Sequence, residues 1–287
     1  MSINSWADSY RSAQYHQSAN EQKSIDLYQE FLQGETKPDV CARKLADIYE
    51  PEIKRGAMPV YVTPIWSILC SAVQEFGDNH EMNHRLIDLL FAISELPEVL
   101  DDRGRRPLGQ RWEDSYWKPL PDFAIVFRDY GVGQLRGMSR VNPSPLICMP
   151  GCDPDETGYE DPSEFYAQAT PLLNATTFAA MYLNRGATSM SFFASMALTA
   201  DVARPCVTSE DQRGTKIFVP PAATWILLAG ECLYSLCQCN QRQLSLKNWL
   251  LWKQGFGELA ANEALEEHVR DICRRAAMEM ARIEEML

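Results

Sequence analysis

Between Val219 and Cys239 the chain carries one formal charge, Glu231, inside its longest nearly charge-free run. A carboxylate in such surroundings has two readings. It is either a group at a solvated rim, or a desolvated acid whose raised pKa suits it to donate a proton or to anchor a hydroxyl of an apolar substrate. Under the second reading Glu231 is the catalytic residue. Trp225 and Tyr234 of the same run, with Asn174, Phe178 and Tyr182 from an upstream segment, then line a substrate pocket of the usual kind, mostly apolar with a few convergent polar groups. For any one of these aromatic residues ordinary core packing is the first reading, and the pocket has to be argued against it.

Other spacings suggest chemistry and then fail on context. His80-Glu81-Met82-Asn83-His84 has the H-E-x-x-H pattern, in which two imidazoles one helical turn apart bind zinc and the glutamate acts as base. Gly77-Asp78-Asn79 makes His80 a first-turn residue, however, and Leu86, Leu89 and Ile93 claim the face opposite His84, Asp88 and Glu95. The histidines belong to a solvated face, and no zinc is expected. Asp153 to Glu164 matches a calcium loop, with oxygen-bearing residues at positions 1, 3, 5, 9 and 12 and Gly158 at position 6. Against it, Pro150-Gly151 leaves no entering helix and Glu160 takes the usually apolar eighth position; an acidic loop whose Asp161 and Ser163 cap the next helix is the other reading. Asp101-Asp102 lacks the third carboxylate of the aspartate-rich site by which helical terpene cyclases bind diphosphate. Gly131, Gly133 and Gly137 precede no Gly-Lys-Ser/Thr, and there is no G-x-S-x-G elbow. The expectation is a protein without metal or cofactor.

Composition narrows the class further. The chain has 287 residues and a net charge of −12, which opposes a nucleic-acid partner. No shift in composition divides it, so residues 1–287 read as a single domain. Met1 to Trp6 lacks the form of a secretory signal, and Glu231 with Pro220 and Pro221 argues against a membrane span, which together point to the cytoplasm. The nine cysteines show no repeated spacing, as for reduced thiols; Cys148 and Cys152 are the one pair placed to test for bonding.

The elements that must position these groups are helices, because alternation of period two is nowhere sustained. Tyr10 to Gln33 forms one or two helices ended by Gly34, and Pro38 opens the next, to about Arg55, with Val40, Leu45, Ile48 and Tyr49 inward. Thr63-Pro64 and His80 start a helical hairpin, Pro119 to Asp122 starts a helix to Tyr130, and residues 131–161 form a long loop, a candidate lid. Helices follow at Pro162 to Asn184, Ser189 to Val202 and Leu246 to Ala261. A last one from about Asn262 has Leu265, Val269, Ile272, Ala276 and Ile283 inward and Glu266–Arg270 and Asp271–Arg275 paired outside. The fold class is all-α, a multi-helix bundle around a central helix, Pro220 to Gln238, opened by its two prolines and buried nearly all round.

Taken in order, several segments resemble a family of filamentous fungi described only as a domain of unknown function. They are Ile65-Trp66, His80 through Leu86-Ile87-Asp88-Leu89-Leu90, and Leu96-Pro97; then Leu120-Pro121 with Arg128-Asp129, and Asn174 with Phe178-Ala179-Ala180. Ala222-Ala223-Thr224-Trp225-Ile226, Ala229-Gly230, Leu233-Tyr234, Trp249, Trp252-Lys253, Phe256 and Ala276-Ala277-Met278 complete the set. Met181 stands where relatives often have arginine. The resemblance implies a helical cytoplasmic fungal protein and carries over no catalytic residues. Two functions stay open: a cofactor-independent enzyme of fungal specialised metabolism that isomerises or cyclises an apolar small molecule, and a helical interaction or regulatory protein without chemistry. A cavity beside the central helix favours the first, a solid core with an exposed apolar groove the second.

Overall fold

The computed structural model describes residues 1–13, 18–55, 62–101, 103–106, 115–132, 169–203, 212–241 and 244–287. Among the described residues there are eleven α-helices and no strand, so the fold is all-α. The segment 153–164, Cys148, Cys152 and nearly all of the 131–161 loop lie outside the described residues. The chain divides into two compact units, Met1–Gly131 and Val132–Leu287.

The first unit holds α1 (Ile3–Ala13), α2 (Ala19–Gln33), α3 (Pro38–Lys54), α4 (Thr63–Phe76), α5 (His80–Ser94) and the short α6 (Phe123–Val126), which runs into a π turn, Phe127–Val132. Its boundaries follow local chemistry. The Ser18 hydroxyl accepts from the Glu21 N–H at the start of α2, and Gly34, at φ 88°, closes it in the left-handed conformation that a Cβ disfavours. Arg85, reaching over from α5, donates to the carbonyls of Phe31 and Leu32 and sits 5.1 Å above the Phe31 ring. A cation is thereby placed at the negative end of α2 and stacked on its last aromatic. In α3 the inward stripe is Cys41, Ala42, Leu45, Ala46, Tyr49 and Ile53. Val40, expected inward, is exposed, and Ile48 is half-buried, because the stripe that meets α2 and α5 starts one residue later.

The second unit holds α7 (Ala169–Asn184), a 3₁₀ turn (Thr188–Met190), α8 (Ser191–Leu198) continuing into a π turn (Thr199–Ala203), α9 (Gln212–Gln238), α10 (Leu246–Ala261) and α11 (Glu267–Met286). Its hub is α9, which packs against α7, α8, α10 and α11 and buries Ala222, Ala223, Trp225, Ile226 and Leu233. Thr215–Gln238 is long and apolar enough to cross a membrane, but it is mostly enclosed by its neighbours, as the core helix of a soluble protein is. The prolines do not open this helix. It begins at Gln212, and Pro220 and Pro221 lie inside it, where neither has an N–H for the carbonyls of Lys216 and Ile217. A proline inside a helix costs about 3 kcal/mol, an amount that burial of one apolar side chain such as Trp225 largely offsets. The departure from helical geometry comes later, at Ala229, φ −135° and ψ 17°.

The last helix also starts later than its periodicity suggests. Asn262 begins a turn in which its side-chain oxygen accepts from the Ala264 N–H at 3.0 Å, and α11 starts at Glu267. Glu266 therefore lies outside the helix and pairs with Lys216, while the helical pairs are Arg270 with Glu267 and Arg274 with Asp271. Val269, Cys273, Ala276, Met280 and Ile283 form the buried stripe, with Ile272 at its edge.

Two glycines record how closely these helices approach. A methyl group at Gly255 would lie 2.3 Å from the Val202 carbonyl oxygen, so α10 rests directly on the backbone of the π turn. At Gly230 it would lie 2.6 Å from Cδ1 of Ile283, a side-chain tip that can turn aside. Gly257 faces open space. Gly257→Ala is therefore expected to stabilise by the usual 0.5–1 kcal/mol or about that, and Gly255→Ala to lower the melting temperature, because backbone cannot yield. Trp225→Ala is expected to cost roughly 3–5 kcal/mol in chemical denaturation, as large core truncations do; an unchanged midpoint would contradict the role of α9 as the hub.

Candidate functional site

All five expected pocket residues belong to the second unit, and four of them are buried in it. Asn174, Phe178 and Tyr182 stand one turn apart on α7 and are all buried, with the Phe178 and Tyr182 rings 6.2 Å apart. Burial pushes the Tyr182 phenol up to about 12. Trp225 is 1% exposed on α9, the helix that packs against α7. Tyr234 lies further along α9, half-buried, with its ring 5.0 Å from that of Trp249.

Glu231 does not join them. Its side chain is 55% exposed and accepts from Arg282 of α11 at 2.9 Å; the same guanidinium holds Glu279 at 2.6 Å. Of the two placements open to this carboxylate, the structure has the solvated rim. The environment that would make Glu231 a desolvated general acid is absent, because the stripe of α9 that carries it faces the charged edge of α11 rather than the α7 side chains. The neighbouring contact between α10 and α11 is also electrostatic: the Glu284 carboxylate accepts from the Trp249 indole at 2.8 Å and from Lys253 at 2.6 Å.

In the first unit, α5 starts at His80. The Asn79 side chain accepts from the Met82 N–H at 3.1 Å, and buried Asn83 donates to the Gly77 carbonyl at 2.7 Å. His80, Glu81 and His84 are exposed, while Leu86, Leu89 and Ile93 are buried as the helical phase requires. Among the described residues no group of three or more His, Cys, Asp or Glu side chains is arranged to hold a metal ion. Asp101 organises its own turn, accepting from the N–H groups of Arg103 and Arg105 at 2.9 and 2.8 Å. The described cysteines, Cys41, Cys70, Cys232, Cys237, Cys239 and Cys273, are free thiols.

One arrangement was not anticipated from residue spacing. Leu120 and Asp122, at φ 49° and 63°, hold left-handed conformations on either side of Pro121. The Pro121 carbonyl accepts the Trp66 indole N–H at 2.6 Å, and the Phe123 ring meets that indole edge-on at 5.4 Å. The indole N–H of Trp117, two residues before Pro119, is buried without an acceptor among the described residues. A left-handed L-residue costs about 1–2 kcal/mol, and such strain persists where the surroundings over-determine it. Here Trp66 and Phe123 do so. Pro119 to Asp122 suggests only a helix start, and an aspartate that tolerates the left-handed region was the one available signal.

A family model described as a protein of unknown function, DUF3632, matches residues 66–256. No curated protein and no solved structure matches the chain. The matched span begins at Trp66 and takes in Pro121, so one physical contact joins two of its separated segments.

The rim placement of Glu231 makes a definite prediction. Glu231→Gln removes one arm of an exposed ion pair, an interaction worth little in water, and the thermal midpoint should stay unchanged within error. A marked fall would mean that the carboxylate is enclosed.

Proposed function

With more than half of its length matched, the chain belongs to the DUF3632 family, and we propose that it works by holding a partner rather than by transforming a substrate. The observation that supports this reading is on α10. In its first two turns Trp249 and Trp252 are buried, while Leu246, Leu250 and Leu251 stand 45, 60 and 43% exposed. The tryptophans seat one side of the helix in the core, and the leucines share the solvent side with Lys247, Gln254 and Glu258. Single exposed apolar residues such as Ile125 or Phe192 need no explanation, but three leucines on one short surface do. The partner that fits is an amphipathic helix laid against these leucines. The net charge of −12 favours a basic partner and disfavours nucleic acid. A cytoplasmic fungal setting is part of the same proposal.

A second reading keeps a foothold in α7. Asn174 and Tyr182 are polar groups within its buried face beside Phe178, where a cofactor-independent isomerase or cyclase of fungal specialised metabolism would hold an apolar small molecule. Such an enzyme would draw its acid from elsewhere than Glu231.

Site-specific photo-crosslinking separates the two. A photoreactive residue at Leu250 should give a discrete protein adduct in cells, whereas one at exposed Lys23 should not. Leu250→Asp should leave the melting temperature unchanged and prevent the adduct from forming at a probe placed at Leu246. Identical adduct patterns from both positions, or none, would reject the binding reading.

A further inference from the structure

The two histidines of α5 have a geometry that the family match leaves unassigned. The Nε2 atoms of His80 and His84 are 3.0 Å apart, and their rings meet edge to face with centroids 4.5 Å apart. Both side chains are exposed, so the ring edges converge in solvent rather than in the core. The backbone beneath them is fixed. Asn79 caps the first turn, the Asn83 N–H donates to the Asn79 carbonyl at 3.0 Å, and the Asn83 side chain ties the helix to Gly77. Leu86, Ile87, Leu89 and Leu90 anchor the opposite face. The two imidazoles are thus presented by a rigid turn, which reduces the ordering cost of binding anything between them.

The spacing discriminates between metals. With metal–nitrogen bonds of 2.0–2.1 Å, two nitrogens 3.0 Å apart subtend an angle of roughly 91–97° at the ion. A tetrahedral ion such as zinc would ask for a separation of about 3.3 Å, whereas neighbouring positions of a tetragonal ion lie near 90°. Imidazole suits copper, and copper(II) binds most tightly among the divalent first-row ions. We propose that His80 and His84 form a two-nitrogen surface chelate for Cu²⁺, with water in the remaining positions. In the free protein one ring donates its Nε2 proton to the other. On binding, that ring changes to its Nδ1–H tautomer, so that both Nε2 lone pairs face the ion. Glu81 has no part in this, and no hydrolytic chemistry follows from it.

Titration of the full-length protein with CuCl₂ in a weakly coordinating buffer, followed by electron paramagnetic resonance, tests the assignment. One equivalent should give a tetragonal signal with hyperfine coupling to two imidazole nitrogens. His80→Ala and His84→Ala should each weaken binding by at least tenfold, and His268→Ala, at an exposed histidine of the second unit, should leave it unchanged. ZnCl₂ should bind more weakly than CuCl₂ by at least tenfold. Circular dichroism establishes that each variant keeps its helices; should His80→Ala fray the start of α5, His84→Gln, one turn inside, decides the matter. Copper bound equally well by both alanine variants, or a spectrum without two coupled nitrogens, would overturn the proposal.

Discussion

A helix with no continuous polar face has to be enclosed, and in the second unit that requirement falls on α9. Its aromatic and branched residues point in most directions, so α7, α8, α10 and α11 are arranged around it. Enclosure at short range needs small residues at the contacts: Gly230 of α9 leaves room for the Ile283 side chain, and Gly255 lets α10 rest on the Val202 backbone. The same enclosure explains why two prolines survive inside the helix: burial of the surrounding side chains outweighs the two hydrogen bonds that proline cannot make. Charge is excluded to the margin, where Arg282 gathers Glu231 and Glu279 and where Glu284 ties α10 to α11.

The helices and their phase were legible where the signals are local. Gly34, Asn79 and the run from Leu246 to Ala261 mark boundaries that the structure places as read, because capping and periodicity act over a few residues. The start of α9 was not legible. Pro220-Pro221 carries the local signature of a helix start, and only tertiary burial extends the helix back to Gln212. Val40 shows the same limit on a smaller scale: periodicity gives a stripe but not which neighbour will cover it.

The candidate site divides along the same line. That Asn174, Phe178, Tyr182 and Trp225 are buried follows from helical phase and hydropathy. That Glu231 stands outside depends on its phase relative to α11, a long-range fact. The exposed leucines of α10 were in plain view as residues, yet reading them as a surface needed Trp249 and Trp252 to be placed on the other side first. Nothing in residue spacing joins Trp66 to Pro121 across more than fifty intervening residues.

That last contact has an evolutionary consequence. The acceptor for the Trp66 indole is a main-chain carbonyl, which every amino acid possesses, so substitution at position 121 leaves the acceptor in place provided the backbone path survives. The donor has no such freedom, since among apolar aromatic side chains only tryptophan offers an N–H. The two ends of one hydrogen bond are therefore under unequal constraint: drift should be free in identity but not in conformation at 121, and should be arrested in identity at 66. Pairwise covariation between these columns would be faint even though the atoms touch.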